Sequence, residues 1–343
     1  MKPTLEDVAD RAGVSRATVS RVINGSPKVS EEVRATVQVA VKRLGYVPNR
    51  AARSLVTRRT ESIALVVREP EEALFAEPFF AGIVRSINRH VTESGFQMIL
   101  VMAKPSDELS RLERYLTGGH VDGVLLVSMH RDDSLLRSLV EAEIPTVIGG
   151  RSMGVEQVSS VDAENRGGAR AVVEHLVESG KSRIATIAGP RDMAVGWDRY
   201  EGYKDGLRST GSPVDEALVV EGDFSQEGGA AAAEQLLERR PDMDAVFAAS
   251  DLMAAGALLT IRRAGKRVPE DVAVVGFDDS SVAQLTDPPL TSVRQPLDAM
   301  GRRMAEILLQ QIASGKPEIT REILPTELVL RRSSSRDAGA EAR

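Results

Sequence analysis

The chain has 343 residues, 42% of them hydrophobic, a formal net charge of −6 and no cysteine. That size suggests two or three domains with sizeable cores, and the missing thiols exclude disulfides, thiolate metal sites and cysteine nucleophiles. No run approaches the ~18 apolar residues of a membrane span, and the opening MKPTLEDVAD lacks a signal peptide's apolar stretch, so a cytoplasmic protein with no membrane partner is expected.

The first 60 residues hold 12 Lys and Arg against 5 Asp and Glu, and the remainder holds 32 against 45. A basic head on an acidic body suits a head that meets a polyanion, although a solvated charged helix would give the same balance. Leu5, Val8, Ala9 and Ala12 form a helical stripe, with Thr4 placed as its N-cap and Asp7 three residues on. Gly13 breaks this helix. Ser15 can cap a second one, which turns Val19, Val22 and Ile23 inward and Arg16, Ala17 and Arg21 outward, and Asn24-Gly25 ends it. Ser30 can cap a third, with Val33, Val37, Ala40, Val41 and Leu44 inside. Two short helices joined by a turn and braced by a third read as a helix-turn-helix domain over residues 1–47. In that motif the second helix enters the DNA major groove, where Arg can donate two hydrogen bonds to guanine. A small protein-binding bundle is the alternative. In the linker, 48–60, Asn49 can cap a short helix from about Arg50 to Val56, which is too short to be stable alone.

From Glu61 strands and helices alternate. Strands are expected at 62–67, 96–103, 122–128 and 145–150, with helices near 78–94, 107–117 and 132–142. A second set follows: strands at 183–189, 217–223, 245–250 and 272–279, with helices near 166–180, 198–210, 225–239 and 251–265. SVRQP (292–296), a helix near 297–314 and TELVLRRS come last. This pattern is α/β, with parallel sheets and crossover helices. Ligands in such sheets sit beyond the C-terminal strand ends, which singles out Phe75, Phe79, Trp197, Arg199, Phe224, Ser250, Asp251 and Asp278. Aromatic faces with an arginine and carboxylates suit a sugar, and would also accept a purine. No phosphate loop, metal cluster, cofactor motif or catalytic serine elbow is present, so no enzyme activity and no cofactor are expected; NRGGAR (165–170) lacks phosphate-loop spacing.

TLEDVADRAGVSRATVSRVING and KVSEEVRATVQVAVKRLGYVPNRAARSL resemble the LacI/GalR family of bacterial transcriptional repressors, and the resemblance runs to about Arg332. It implies a head followed by a two-lobed body like a periplasmic binding protein, spanning 61–332. Lobe 1 would take about 61–161 plus 292–322, lobe 2 about 162–291 plus 323–332, with three crossings and a disordered tail at 333–343. It implies base contacts from Arg16, Ala17 and Arg21, and backbone contacts from Ser15, Thr18, Ser20 and Asn24. Thr4, Tyr46, Asn49 and Arg50 join them as candidate DNA contacts. A hinge helix would set Leu55, with Ala52 beside it, into the minor groove, where an apolar wedge kinks DNA. In the body the resemblance implies effector contacts from Arg199, Phe224 and Asp278. An interlobe salt bridge is the other reading of Arg199, and a helix cap the other reading of Asp278. Many sugar-binding members carry an aspartate after the strand PTVIGG, where this chain has Gly150 and Arg151; Arg151 becomes a candidate contact favouring a larger or more anionic effector, or else a surface residue. The expectation is a homodimeric repressor that binds palindromic double-stranded operator DNA and responds to a small molecule, a sugar or else a purine corepressor; the alternative from another class is a transporter's solute-binding protein, which the basic head argues against. The tail SSSRDAGAEAR has no match to the family's tetramerising helix.

Overall fold

The computed structural model describes residues 3–23, 25–47, 59–103, 109–131, 134–315 and 318–335. The chain divides into two units, Met1–Thr60 and Glu61–Arg343.

The first unit holds α1 (Leu5–Ala12), α2 (Arg16–Ile23) and α3 (Glu31–Leu44). Thr4 and Asp7 form a capping box: the Asp7 amide donates to Thr4 Oγ1 at 3.3 Å and the Thr4 amide to Asp7 Oδ2 at 2.8 Å, which satisfies two otherwise orphaned donors. Gly13 closes α1 with φ of 67°, a conformation glycine adopts without a Cβ penalty. Ser15 caps α2 by accepting from the Thr18 amide at 3.1 Å. Ser30 stands at the N-cap of α3 without a capping hydrogen bond from its side chain. Val8, Val19 and Val37 are fully buried between the helices, with Val22, Ala9 and Ala40 around them.

The second unit contains two six-stranded sheets. The first has the order β11-β5-β4-β3-β1-β2. Its strands are β1 (Ser62–Val67), β2 (Gln97–Met102), β3 (Gly123–Val127), β4 (Thr146–Gly149), β5 (Ser159–Ala163) and β11 (Arg321–Leu324), all parallel. The helices α4 (Glu71–Ala76), α5 (Pro78–Glu93), α6 (Leu109–Thr117), α7 (Ser134–Glu141) and α13 (Leu297–Ser314) belong with it. Ile63 to Val67 are all fully buried; burying each of Ile63, Leu65, Val66 and Val67 contributes about 1.5–3 kcal/mol. The second sheet has the order β12-β10-β9-β8-β6-β7. Its strands are β6 (Ile184–Ala188), β7 (Val219–Glu221), β8 (Ala245–Ala248), β9 (Ala273–Asp278), β10 (Thr291–Arg294) and β12 (Glu327–Val329), and only β12 runs antiparallel, against β10. It is flanked by α8 (Asn165–Glu178), α9 (Ala194–Ser209), α10 (Gln226–Arg239) and α11 (Asp251–Arg263), with the short α12 (Ser281–Leu285) beyond. Helices α8 and α9 pack closely because Gly202 lacks a side chain; a Cβ there would stand 2.2 Å from the Arg166 carbonyl oxygen.

The chain crosses between the sheets three times, after β5, after β10 and after β11. The lobe limits differ from expectation in three places. β10 pairs with β9 in the second sheet, not the first, and β5 and β11 carry the first sheet on to Ala163 and Leu324. Ser333 and Ser334 are not tail: Ser333 Oγ accepts from the Thr291 amide at 2.8 Å and donates to the Val274 carbonyl at 2.5 Å, and both serines are buried. Residues 336–343 lie outside the described residues. The expected strand 217–223 is shorter, because 216–218 form a turn of 3-10 helix. No helix among the described residues is long and apolar enough to cross a membrane.

Candidate functional site

A cleft of about 750 Å³ opens between the C-terminal strand ends of the two sheets. On the second-lobe side its centre is Arg199, which leaves α9 and is 3% exposed. Its Nε donates to Asn165 Oδ1 at 2.9 Å and its Nη1 to the Ala249 carbonyl at 2.6 Å. The guanidinium stands 3.7 Å from the Phe277 ring centroid and 3.4 Å from Asp278 Oδ1. Asp278 also accepts from Gln295 Nε2 at 2.7 Å. Burial pushes the Asp278 carboxyl up from the usual carboxylate range, against the pull of Arg199 and Gln295; burial pushes the Arg199 guanidinium down. Asp278 has φ of 108° and Phe224 φ of 67°, left-handed backbone that side-chain-bearing residues rarely adopt and that clusters at functional sites. The Phe224 ring lies over Gly189, where a Cβ would meet it at 2.3 Å. Ser250 caps α11 by accepting from the Met253 amide at 3.2 Å and also lines the cleft.

The first-lobe side is more open. It presents Phe79, edge-on to Phe80 at 5.3 Å, with Glu69, Glu77 and His130. Desolvation and the neighbouring carboxylates of Asp278 and Glu69 push Glu77 up to about 8. His130 Nδ1 lies 2.7 Å from Asp192 Oδ2, and its Nε2 is 3.7 Å from Glu69 Oε1. The adjacent Glu69 carboxylate and the hydrogen bond to Asp192, opposed by desolvation, raise the imidazole to about 9. Asp162, which donor groups of Asn165 and Ala163 hold at the end of β5, is pushed by burial up to about 6.

Phe79, Arg151, Arg199, Phe224, Ser250 and Asp278 therefore line one cleft. Phe75, Trp197 and Asp251 do not. Phe75 is 78% exposed on α4, whose inward residue is Leu74. Trp197 precedes Arg199 by two positions on α9, and residues two apart on a helix face opposite sides. Asp251 is sealed beneath the wall, accepting from Ser292 Oγ at 2.6 Å and the Ser280 amide at 2.7 Å; burial and Asp278 push its carboxyl up to about 7. Arg151 reaches across the cleft and donates Nε and Nη2 to the two oxygens of Asp198, each at 2.7 Å. Its charge is committed there, so it does not offer a free cation to an anionic ligand. Sequence reasoning missed Glu69, Glu77, His130, Asp162, Asn165, Asp223 and Gln295 in the wall. The strand-end rule reaches Glu69, His130 and Asp223, each two or three residues beyond a strand.

In the head, Arg16, Ala17 and Arg21 are exposed along α2, and Arg16 Nε stands 3.1 Å from Glu6 Oε1. Thr4, Ser15 and Thr18 are engaged in capping, with the Ser15 and Thr18 hydroxyls 2.9 Å apart. Ser20 is half-buried, and Tyr46 packs on the helical core. Asn24, Asn49, Arg50, Ala52 and Leu55 lie outside the described residues. Among the described residues no cluster of His, Asp and Glu could hold a metal ion.

Residues 4–49 match the lacI family of bacterial regulatory proteins, and residues 173–334 match the periplasmic binding protein-like domain. The transcriptional regulator CelR of Thermobifida fusca is 55% identical over 97% of this chain and 98% of its own. The repressor PurR of Erwinia tasmaniensis is 35% identical over 96% of both. Among solved structures, a complex of the transcriptional regulator CelR with cellobiose superposes with a TM-score of 0.78 at 53% identity, covering 96% of this chain and 99% of the other. The lac repressor dimer bound to operator and an anti-inducer gives 0.83 at 28% identity, over 97% and 99%. With both domain models matched in one chain, and relatives 35% and 55% identical over nearly its whole length, this chain belongs to the lacI family of bacterial transcriptional regulators.

Proposed function

We propose that this chain is a dimeric repressor that binds a palindromic operator and is released from it by an uncharged disaccharide of the cellobiose type. The observation that carries the effector class is the cleft. Phe79 and Phe224 offer apolar ring faces to the C–H faces of a sugar, and Arg199 with Asp278 offers a donor and an acceptor to adjacent hydroxyls. The surrounding carboxylates oppose an anion, and Arg151 is paired with Asp198. The 55% identity to a regulator whose relative is solved with cellobiose supports the same reading.

On the DNA side, Arg16, Ala17 and Arg21 read base edges, and Ser15, Thr18, Ser20 and Asn24 meet the backbone. Thr4, Tyr46, Asn49 and Arg50 add further contacts, while Ala52 and Leu55 enter the minor groove. The Arg16–Glu6 pair is exposed, so exchanging Glu6 for a guanine costs little. The test is fluorescence anisotropy on a duplex enriched by the chain from a random library, titrated with cellobiose. Release by cellobiose is expected; a complex tightened only by a purine base would replace induction with corepression. In the same assay Arg16→Ala weakens the chosen duplex by about 1–3 kcal/mol and relaxes one base position; unchanged base preference would remove Arg16 from base reading.

A further inference from the structure

Two ionic contacts cross the cleft on the same side. One is the two-pronged pair of Arg151, beyond β4, with Asp198 on α9. The other joins His130, beyond β3, to Asp192 in the loop before α9. Backbone reinforces the second: His130 and Met193 form an antiparallel bridge, and the Arg131 amide donates to the Asp192 carbonyl at 2.8 Å. All the first-lobe partners stand at strand ends, and all the second-lobe partners lie within a single stretch, 192–198. Moving the lobes apart must break both.

We infer that Arg151–Asp198 and His130–Asp192 are a double clasp that holds the lobes closed, and that His130 makes closure depend on a bound proton. Neither residue needs to touch the effector; both are positioning residues that set how long the cleft stays shut around it. That a shut cleft grips an effector rests on the reading given above. The groups facing the imidazole are Glu69, beyond β1, and Asp192, beyond β6, with Glu77 beside Glu69 on the cleft floor. Glu69 also accepts from Ser128 Oγ within the first lobe. When the lobes part, His130 keeps Glu69 and loses Asp192, so its affinity for a proton falls. Closure therefore takes up a proton. The imidazolium contribution is complete below the open-form pKa and disappears as pH rises through about 9. Each unit by which closure raises that pKa strengthens closure about tenfold. Arg151 supplies the part of the clasp that does not vary with pH over this range, because a guanidinium stays protonated.

The chain has only four histidines, so their ring resonances can be followed individually by proton NMR. The expectation is one resonance, missing from His130→Gln, that titrates near 9, and that Asp192→Asn moves toward the ordinary 6.5. Calorimetry with cellobiose then tests the grip. Wild-type affinity falls as pH rises from about 7 to about 9.5. His130→Gln and Asp192→Asn bind several-fold more weakly at neutral pH, the double variant no worse than either. Glu77, which Asp278 faces from the other lobe, titrates in the same window and adds its own part to the decline; in a Glu77→Gln background the decline that remains is the imidazole's, and adding His130→Gln or Asp192→Asn removes it. Arg151→Ala weakens binding at every pH. A His130 resonance near 6.5, or a pH decline that survives His130→Gln in the Glu77→Gln background, overturns the clasp. A high-titrating His130 that responds to Asp192→Asn in a protein blind to cellobiose leaves the clasp standing and removes the sugar reading.

Discussion

The two walls of the cleft are built differently. On the second lobe every polar group near the centre is already satisfied inside the protein: Arg199 by Asn165 and Ala249, Asp278 by Gln295, Asp251 by Ser292 and Ser280. That wall is a finished receptor, with its entropy of ordering met on folding. On the first lobe Glu77, Phe79 and His130 are half-exposed, and His130 takes its 2.7 Å partner, Asp192, from across the gap. A ligand bound first to the finished wall would find the other able to close on it, and the pre-ordered wall limits the side-chain freedom lost on binding.

If the contrast holds, substitutions on the two walls fail in different ways. The largest effect is expected from Arg199→Ala, which strands Asp278 in a buried site; removing one partner of such a pair costs roughly 3–5 kcal/mol. Thermal unfolding should fall sharply and the effector response should vanish, both checked by calorimetry. A variant as stable as the parent would mean the wall is not a rigid network. Gly189→Ala comes next. Its methyl must displace the Phe224 ring, at about 1–3 kcal/mol for overpacking, and effector affinity should drop although no contact residue has changed. Phe79→Ala, on the open wall, should weaken cellobiose by about 0.5–1.5 kcal/mol and lower stability by a similar amount through its edge contact with Phe80; a variant destabilised as severely as Arg199→Ala would erase the distinction between the walls. The smallest effect is expected from Glu77→Gln. A carboxyl raised to about 8 costs the folded state progressively as pH rises from 4.5 through 8. The glutamine variant should therefore melt higher at pH 9 and match the parent below pH 4.5. The difference should stay under about 1 kcal/mol, since the group is partly in water.

The contrast also explains what the sequence disclosed. The buried strand SIALVV announces itself by an unbroken apolar run and the stripe Leu5, Val8, Ala9, Ala12 by its helical period, because one physical force writes both patterns. The strand SSVDA, β5, is buried at every position yet reads as polar, since Ser159 and Asp162 are inside only by virtue of partners such as Gln311 and Asn165. Hydrogen bonds leave no period in a sequence. The same limit applied in the cleft. Arg199, Phe224 and Asp278 stood out as unusual residues at strand ends, but Trp197 also looked right and faces away, because position along a helix decides direction. Asp251 looked like a ligand group and is a brace. Glu77 and His130 went unnoticed because an exposed-looking Glu or His is ordinary until folding sets carboxylates around it.

The second crossing of the chain has a consequence for how this molecule comes into being. Arg321 in β11 pairs with Ser160 in β5, and α13, which covers the first sheet, begins at Leu297. A ribosome has released β5 long before it makes either. The first lobe must therefore wait, with one edge open and one face covered by α5 without α13, while β6 to β10 of the second lobe are synthesised. Neither lobe can be excised as a contiguous fragment. A chain cut short before residue 297 would lose the α13 cover of the first lobe, even with all five earlier strands of that sheet present.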